Sequence, residues 1–329
     1  SNVCTLSFET AGGERFSYKE NLTASLHEAM SSGRDTLDLS LKVSPAVPIR
    51  LYTGIQTRAA VDVFDSTPVS IAVGTSAGDY TEHWTGTATE GDILLDPERY
   101  YPTDGSALFI RSYHPAAPHV NGEVRYELTG QEDLMLTDER SGSRRFDATE
   151  TPLIHKHLLT QLSFRLRVKG APDGYSVHAV KLNGLASVAK VSLSDGEVVP
   201  VGETSSVIIY SSDDGNGIPV VDGVVTLPGF VLVQPKASLT LDMTLALEGD
   251  PASGQDFKDL PVSFGGEGNE SGGAYDIEIS LEIPVDPEEP DDPDTPEEPK
   301  EPDPFEEYQV KITATVTPWK PGNGGNADL

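Results

Sequence analysis

YQVKITATVT, residues 308–317, decides the fold class. Tyr308, Val310, Ile312, Ala314 and Val316 alternate with Gln309, Lys311, Thr313, Thr315 and Thr317, the period of a β-strand with one face buried and the other in water. A lone strand has no stability of its own. Burying the five apolar side chains stabilises by roughly 5 to 10 kcal/mol, provided that a sheet receives them. The strand therefore pairs either within its own domain or with another molecule.

What precedes it sets it apart. Proline recurs every third residue at Pro284, Pro287, Pro290, Pro293, Pro296, Pro299 and Pro302, with acids between. In polyproline II geometry these prolines line one edge of a rod of roughly 65 Å, at about 3.1 Å per residue. Residues 285–307 hold twelve Asp or Glu and one Lys, a net of −11 out of −30, so −19 remains for the rest of the chain. Repulsion among these carboxylates extends the rod. It reads as a spacer or surface tether, or as an acidic linker that serves only solubility. The acidic balance elsewhere makes nucleic acid and anionic membranes poor partners.

Working outward, the same alternation returns with turn residues between. Leu37, Leu39, Leu41 and Val43 form one row; Ile49 and Leu51 another; Val69, Ile71 and Val73 a third; Leu162, Phe164, Leu166 and Val168 a fourth. Leu239 to Leu247 and Ile277 to Ile283 continue it. Many short strands with Gly, Asp and Pro punctuation favour β-sandwiches over a parallel sheet flanked by helices. One short helix is expected around Asn21 to Met30, where Leu22, Leu26 and Met30 share a face. At 329 residues the chain has length for two domains. The polar stretch TDERSGSRRFDATE, 137–150, sets the boundary between them. The expected order is an N-terminal segment to residue 58, a sandwich over 59–150 that can include earlier strands, a second over 151–283, the spacer 284–305 and the final strand and tail 306–329.

A single cysteine, Cys4, excludes an intrachain disulfide framework. It alternates with Leu6 and Phe8, as a small buried strand residue does; the other reading is a lipid-bearing cysteine at an export cleavage site. No run of 18 apolar residues and no basic-then-apolar leader occurs, so no membrane-spanning helix is expected and any signal peptide would already be gone.

Motifs for chemistry are thin. His155 and His157, two apart on one strand face, can begin a metal site, but no Cys or acid follows at ligand spacing, so hydrogen-bonded roles are expected and no cofactor is implied. Ser212, Asp214, Asn216 and Gly217 match the opening of a calcium loop, yet Gly223 stands where its glutamate belongs, and a tight turn is the simpler reading. No nucleophile elbow, phosphate loop or dinucleotide fingerprint appears, and no enzyme is expected. Trp84, Trp319, Tyr100 and Tyr101 are aromatic anchors, either core or a sugar-stacking surface. Arg58, Arg144 and Arg145 are open to a trypsin-like protease.

Four passages resemble the fimbrillin-like proteins of Bacteroidota, which build type V pili. VPIRLYTGIQTRAAVDVF (47–64) looks like their strand leading to a Thr-Arg-Ala processing region, and RYYPTDGSALFIRSYHP (99–115) is similar to their tyrosine-proline strand pair. LIHKHLLTQLSFRLRV (153–168) resembles the opening of their second domain, and VKITATVTPWKPGNGGNADL (310–329) their closing strand and glycine-rich end. The resemblance implies two tandem transthyretin-like β-sandwiches, exported as a lipoprotein precursor and displayed at the outer membrane. It implies that a trypsin-like, Arg-specific protease cuts between Arg58 and Ala59, and that the vacated groove accepts the last strand of the next fimbrial subunit, with Tyr308, Val310, Ile312, Ala314 and Val316 as the donor row. Host surfaces or glycans would be further partners. Two features depart from the family: a long segment before Arg58, and the spacer ahead of the last strand. In the rival reading residues 308–316 form a hairpin with Tyr275 to Ile283 in their own domain, as a tip subunit or adhesin would keep them.

Overall fold

The computed structural model describes residues 3–9, 15–21, 27–28, 30–33, 46–56, 63–145, 151–169, 174–212, 216–221, 223–264, 268–282 and 309–313. They belong to two compact units, residues 1–45 and 46–329. The fold is all-β, as the alternation predicts. In the first unit β1 (Val3–Glu9) pairs antiparallel with β2 (Arg15–Asn21), setting Cys4 opposite Glu20 and Leu6 opposite Tyr18. Of the expected helix, Asn21 closes β2, while His27, Glu28, Met30 and Ser31 form a helical turn in which the Ser32 N–H donates to the Glu28 carbonyl at 3.1 Å. The row from Leu37 to Val43 lies outside the described residues.

The second unit opens with β3 (Leu51–Ile55), β4 (Thr67–Gly74), β5 (Glu82–Ala88), β6 (Asp92–Asp96) and β7 (Leu108–His114). There follow β8 (His119–Val120), β9 (Glu123–Glu127), β10 (Met135–Thr137), β11 (Arg140–Gly142) and β12 (Leu153–His157). Seven of these close on themselves: β7, β10, β12, β3, β6, β5 and β4 are hydrogen-bonded in that order, and β4 returns to β7. Closure removes the free edges of this sheet. Only the β12–β3 pair is parallel. Val69, Ile71 and Val73 on β4, all within 1% of full burial, pack inside the ring with Trp84, Ile93 and Ile110.

The remaining strands are β13 (Thr160–Lys169), β14 (Tyr175–Ser192), β15 (Val198–Ser211), β16 (Ile218–Pro219) and β17 (Gly223–Thr226), then β18 (Val231–Val233), β19 (Thr240–Leu247), β20 (Asp250–Pro261), β21 (Ala274–Glu282) and β22 (Gln309–Thr313). They build two sheets. In one, β13 lies parallel to β21 and takes β17 and β18 along its other edge, while β22 adds to the outside of β21. In the other, the 18-residue β14 carries β15 and β16 on one edge and β19, with β20 beyond it, on the other. Leu162, Phe164 and Leu166 of the first sheet share a core with Val180, Leu182 and Met243 of the second. Each such side chain contributes roughly 1.5 to 3 kcal/mol by burial.

The polar stretch 137–150 does not part the sheets. β12, beyond it in sequence, lies inside the first ring between β10 and β3, and β9, before it, pairs with the far half of β14 from Val188 to Ser192. A core of its own joins the halves, with Tyr113, Tyr126 and Leu134 packed against Ala189, Val191 and Leu232. Non-local pairing of this kind leaves no mark in local composition.

Candidate functional site

The ring places one short strand where it matters. β3 begins in an extended stretch that is already bonded at Val47 and Ile49, whose partners are the Tyr101 N–H at 3.1 Å and the Arg99 carbonyl at 2.8 Å. Its inward row is Ile49, Leu51 and Thr53, each 4 to 6% exposed. On one side β3 runs parallel to β12; on the other its ladder with β6 is two pairs, Leu51 with Ile93 and Tyr52 with Asp92. Along that seam lies a cleft of about 580 Å³, bounded by Arg50 and Tyr52 on one side and Leu94 and Glu98 on the other. β3 is thus an interior member of a closed sheet, and past the two β6 pairs its Thr53 N–H donates to the Gly91 carbonyl at 2.9 Å.

At its centre Thr53 meets a buried histidine. Thr53 Oγ1 lies 3.0 Å from His155 Nδ1 and 3.2 Å from the Leu153 carbonyl, and His155 Nε2 lies 3.0 Å from Ser112 Oγ. One proton arrangement satisfies all three. The threonine hydroxyl donates to Leu153 and accepts from Nδ1–H, leaving Nε2 to accept from Ser112; this tautomer is assigned from the network. His155 is fully buried, with Phe64 edge-on at 4.9 Å. Burial pushes its imidazole down to about 3, which the carbonyls of Gly54 and Leu153 only partly offset. Thr53 and Gly54 both belong to β3, so most of what makes this histidine comfortable is supplied by that strand.

His157, the other member of the sequence pair, goes elsewhere. Its Nδ1 is 2.8 Å from Asp133 Oδ1, with both side chains almost wholly buried. The two histidines share a face of β12 but not a ligand, and among the described residues no group of three His, Cys, Asp or Glu is placed to hold a metal ion. In the calcium-like run, Ser212 Oγ accepts the Gly217 N–H at 3.0 Å, while Asp214 lies outside the described residues.

Other sequence candidates fall as follows. Trp84 and Tyr101 are core residues, 5% and 2% exposed, whereas Tyr100 is 48% exposed and Trp319 is outside the described residues. Trp84 Nε1–H donates to Glu82 at 2.9 Å and the Arg99 guanidinium sits 5.3 Å from its ring centre, so its ring face is already covered. Cys4 is in β1. Arg58 and Ala59 lie outside the described residues, beginning three positions after the end of β3. Arg145 is exposed; Arg144 is half-buried and donates to the Thr103 carbonyl at 3.0 Å. Of the terminal row, Val310 and Ile312 are in β22, opposite Leu281 and Ile279, while Tyr308, Ala314 and Val316 are outside the described residues. Among the described residues β22 is thus paired with β21 alone, at the edge of its own chain's sheet, the pairing that the hairpin reading expects. No helix of the described residues is long and apolar enough to cross a membrane.

Sequence reasoning missed Thr53. Its signal was the row Ile49 and Leu51, which continues inward at every second residue and so places a hydroxyl inside.

Similar folds have been solved. A candidate cell adhesion protein from Bacteroides uniformis superposes with a TM-score of 0.53 at 16% identity, over 84% of this chain and 99% of that one. A fimbrial protein from Bacteroides vulgatus does so with a TM-score of 0.52 at 10% identity, over 82% and 99%. At such identities the likeness is one of fold. No curated protein matches the sequence. The sequence model of the fimbrillin-like family matches residues 53–319, from the inward threonine of β3 to beyond the terminal strand. This chain belongs to the fimbrillin-like family.

Proposed function

We propose that the chain is a non-enzymatic structural subunit of a cell-surface fimbria, assembled by strand exchange after an Arg-specific protease cuts between Arg58 and Ala59. The observation that carries this reading is the place of β3. It is the one strand of the ring that precedes Arg58, and a cut there frees it from the chain that follows. Without it β6 and β12 have unpaired backbone edges above an apolar trough, and an incoming alternating strand satisfies both. Residues 308–317 have that alternation and hang on a spacer long enough to leave home. We read the two halves as tandem transthyretin-like sandwiches, and Cys4 as the anchor of an outer-membrane lipoprotein precursor.

A second reading is favoured by one observation: β22 lies against β21 of its own chain, from Glu278–Thr313 to Glu282–Gln309. A tip or accessory subunit, or a host- or glycan-binding adhesin, would keep it there. Five edge pairs are a shallow hold, so the same arrangement also serves a subunit before assembly. The two readings part on incubation with a trypsin-like protease beside other fimbrial subunits. Release of residues 1–58, identified by mass, followed by detergent-resistant ladders containing this chain supports the stalk subunit; cleavage at Arg58 that yields only monomer contradicts it.

A further inference from the structure

The inward row of β3 is apolar at Ile49 and Leu51, polar at Thr53 and apolar again at Ile55, which is half-buried against the same core. The hydroxyl is matched to a fully buried partner, His155, which β7 also holds through Ser112. An occupant without a hydroxyl at this point leaves Nδ1–H and the Leu153 carbonyl facing an apolar side chain.

The chain's own tail cannot meet this requirement. With its apolar row facing in, it offers Val310, Ile312, Ala314 and Val316, with no hydroxyl flanked by apolar residues. Shifted by one residue, it brings Thr313 or Thr315 inward but turns every apolar side chain out, because a one-residue slip reverses the faces. Tyr308 heads its row and has an apolar neighbour on one side only, while its ring far exceeds the space that a threonine fills.

We propose that the slot of β3 selects its occupant through His155, and that the partner it fits is a strand of a different subunit with Thr or Ser between apolar residues two positions away on either side, rather than a second copy of this chain. The inference rests on the strand-exchange reading above and narrows it: the subunit donates to one kind of neighbour and accepts from another.

The test uses the full chain nicked at Arg58 and four labelled peptides: residues 46–56 as they stand, the same with Thr53→Val or Thr53→Ser, and residues 306–318. The native and Thr53→Ser peptides enter the slot with similar affinity, the Thr53→Val peptide binds at least about tenfold more weakly, and the tail peptide is no better than Thr53→Val. In a His155→Leu chain the preference for Thr over Val disappears, which a merely structural role for the histidine would not produce. Equal binding of the Thr53→Val or tail peptide overturns the selection while leaving strand exchange intact. Failure of every peptide to enter a chain that has been nicked overturns the exchange reading, and the selection with it.

Discussion

Thr53 Oγ1 and His155 Nδ1 meet 3.0 Å apart in the interior, from two strands that run side by side though 102 residues separate them in sequence. Thr53→Val keeps the shape and deletes the partner. The variant is expected to lose roughly 1 to 3 kcal/mol, the cost of leaving a buried donor unpaired. Urea denaturation, read as a lower midpoint at unchanged slope, measures it.

The same histidine gives stability a pH dependence. Folded His155 stays neutral down to about 3, whereas in the unfolded chain it titrates near its ordinary value of about 6.5. The unfolded state therefore binds the extra proton below that value. The contribution is fully present above pH ~6.5 and is lost as pH falls toward 3, at up to ~1.4 kcal/mol per unit. Thr53 and Gly54 on β3, Ser112 on β7, and Phe64 and His114 beside it surround the ring, and His114 and His83, also lowered by burial, act with the same sign. Asp138 and Glu278, held low by hydrogen bonds from Lys156 and Arg167, weaken the fold only under more acid conditions. Denaturation between pH 5 and 7 separates the two, and His155→Leu flattens the slope there.

Trp84→Ala is expected to destabilise by roughly 3 to 5 kcal/mol, because the side chain fills the ring core. Loss of near-ultraviolet circular dichroism together with stability marks a core residue. A variant that folds normally and loses only glycan binding would instead make Trp84 a recognition surface.

Gly184 interrupts β14 with φ of +92° at a register shift between Asn183 and Leu185, and a Cβ there would fall 2.3 Å from the Ser238 carbonyl. Gly184→Ala forces either the backbone or residue 238 to move. A loss of more than ~1 kcal/mol is expected from the left-handed conformation alone, measurable as a lowered thermal midpoint.

Period-two alternation made β13, β19 and β21 legible, because each buries its apolar row and leaves most of the row between more open to solvent; β4 alternates in residue type, Val69, Ile71 and Val73 against Ser70 and Ala72, although both of its rows are buried. Alternation could say nothing of partners. That β12 closes the first ring and β9 joins the second sheet depends on contacts between distant segments, and the polar stretch 137–150, which looks like a boundary, itself carries β11, paired with β7. The site was half visible for the same reason. Ile49 and Leu51 announced a strand ahead of Arg58, but only the fold brings His155 beside Thr53, and the metal reading of His155 and His157 dissolves once each has its own partner. Trp84 read first as core, with a sugar-stacking surface as the alternative, and the ring encloses it.

The account turns on whether β3 can be replaced. The full chain, nicked at Arg58 and offered a labelled peptide of residues 46–56, should release its own residues 1–58 and keep the peptide through gel filtration while the remainder stays folded. A nicked chain that retains its own segment against excess peptide, or unfolds when that segment leaves, would contradict it.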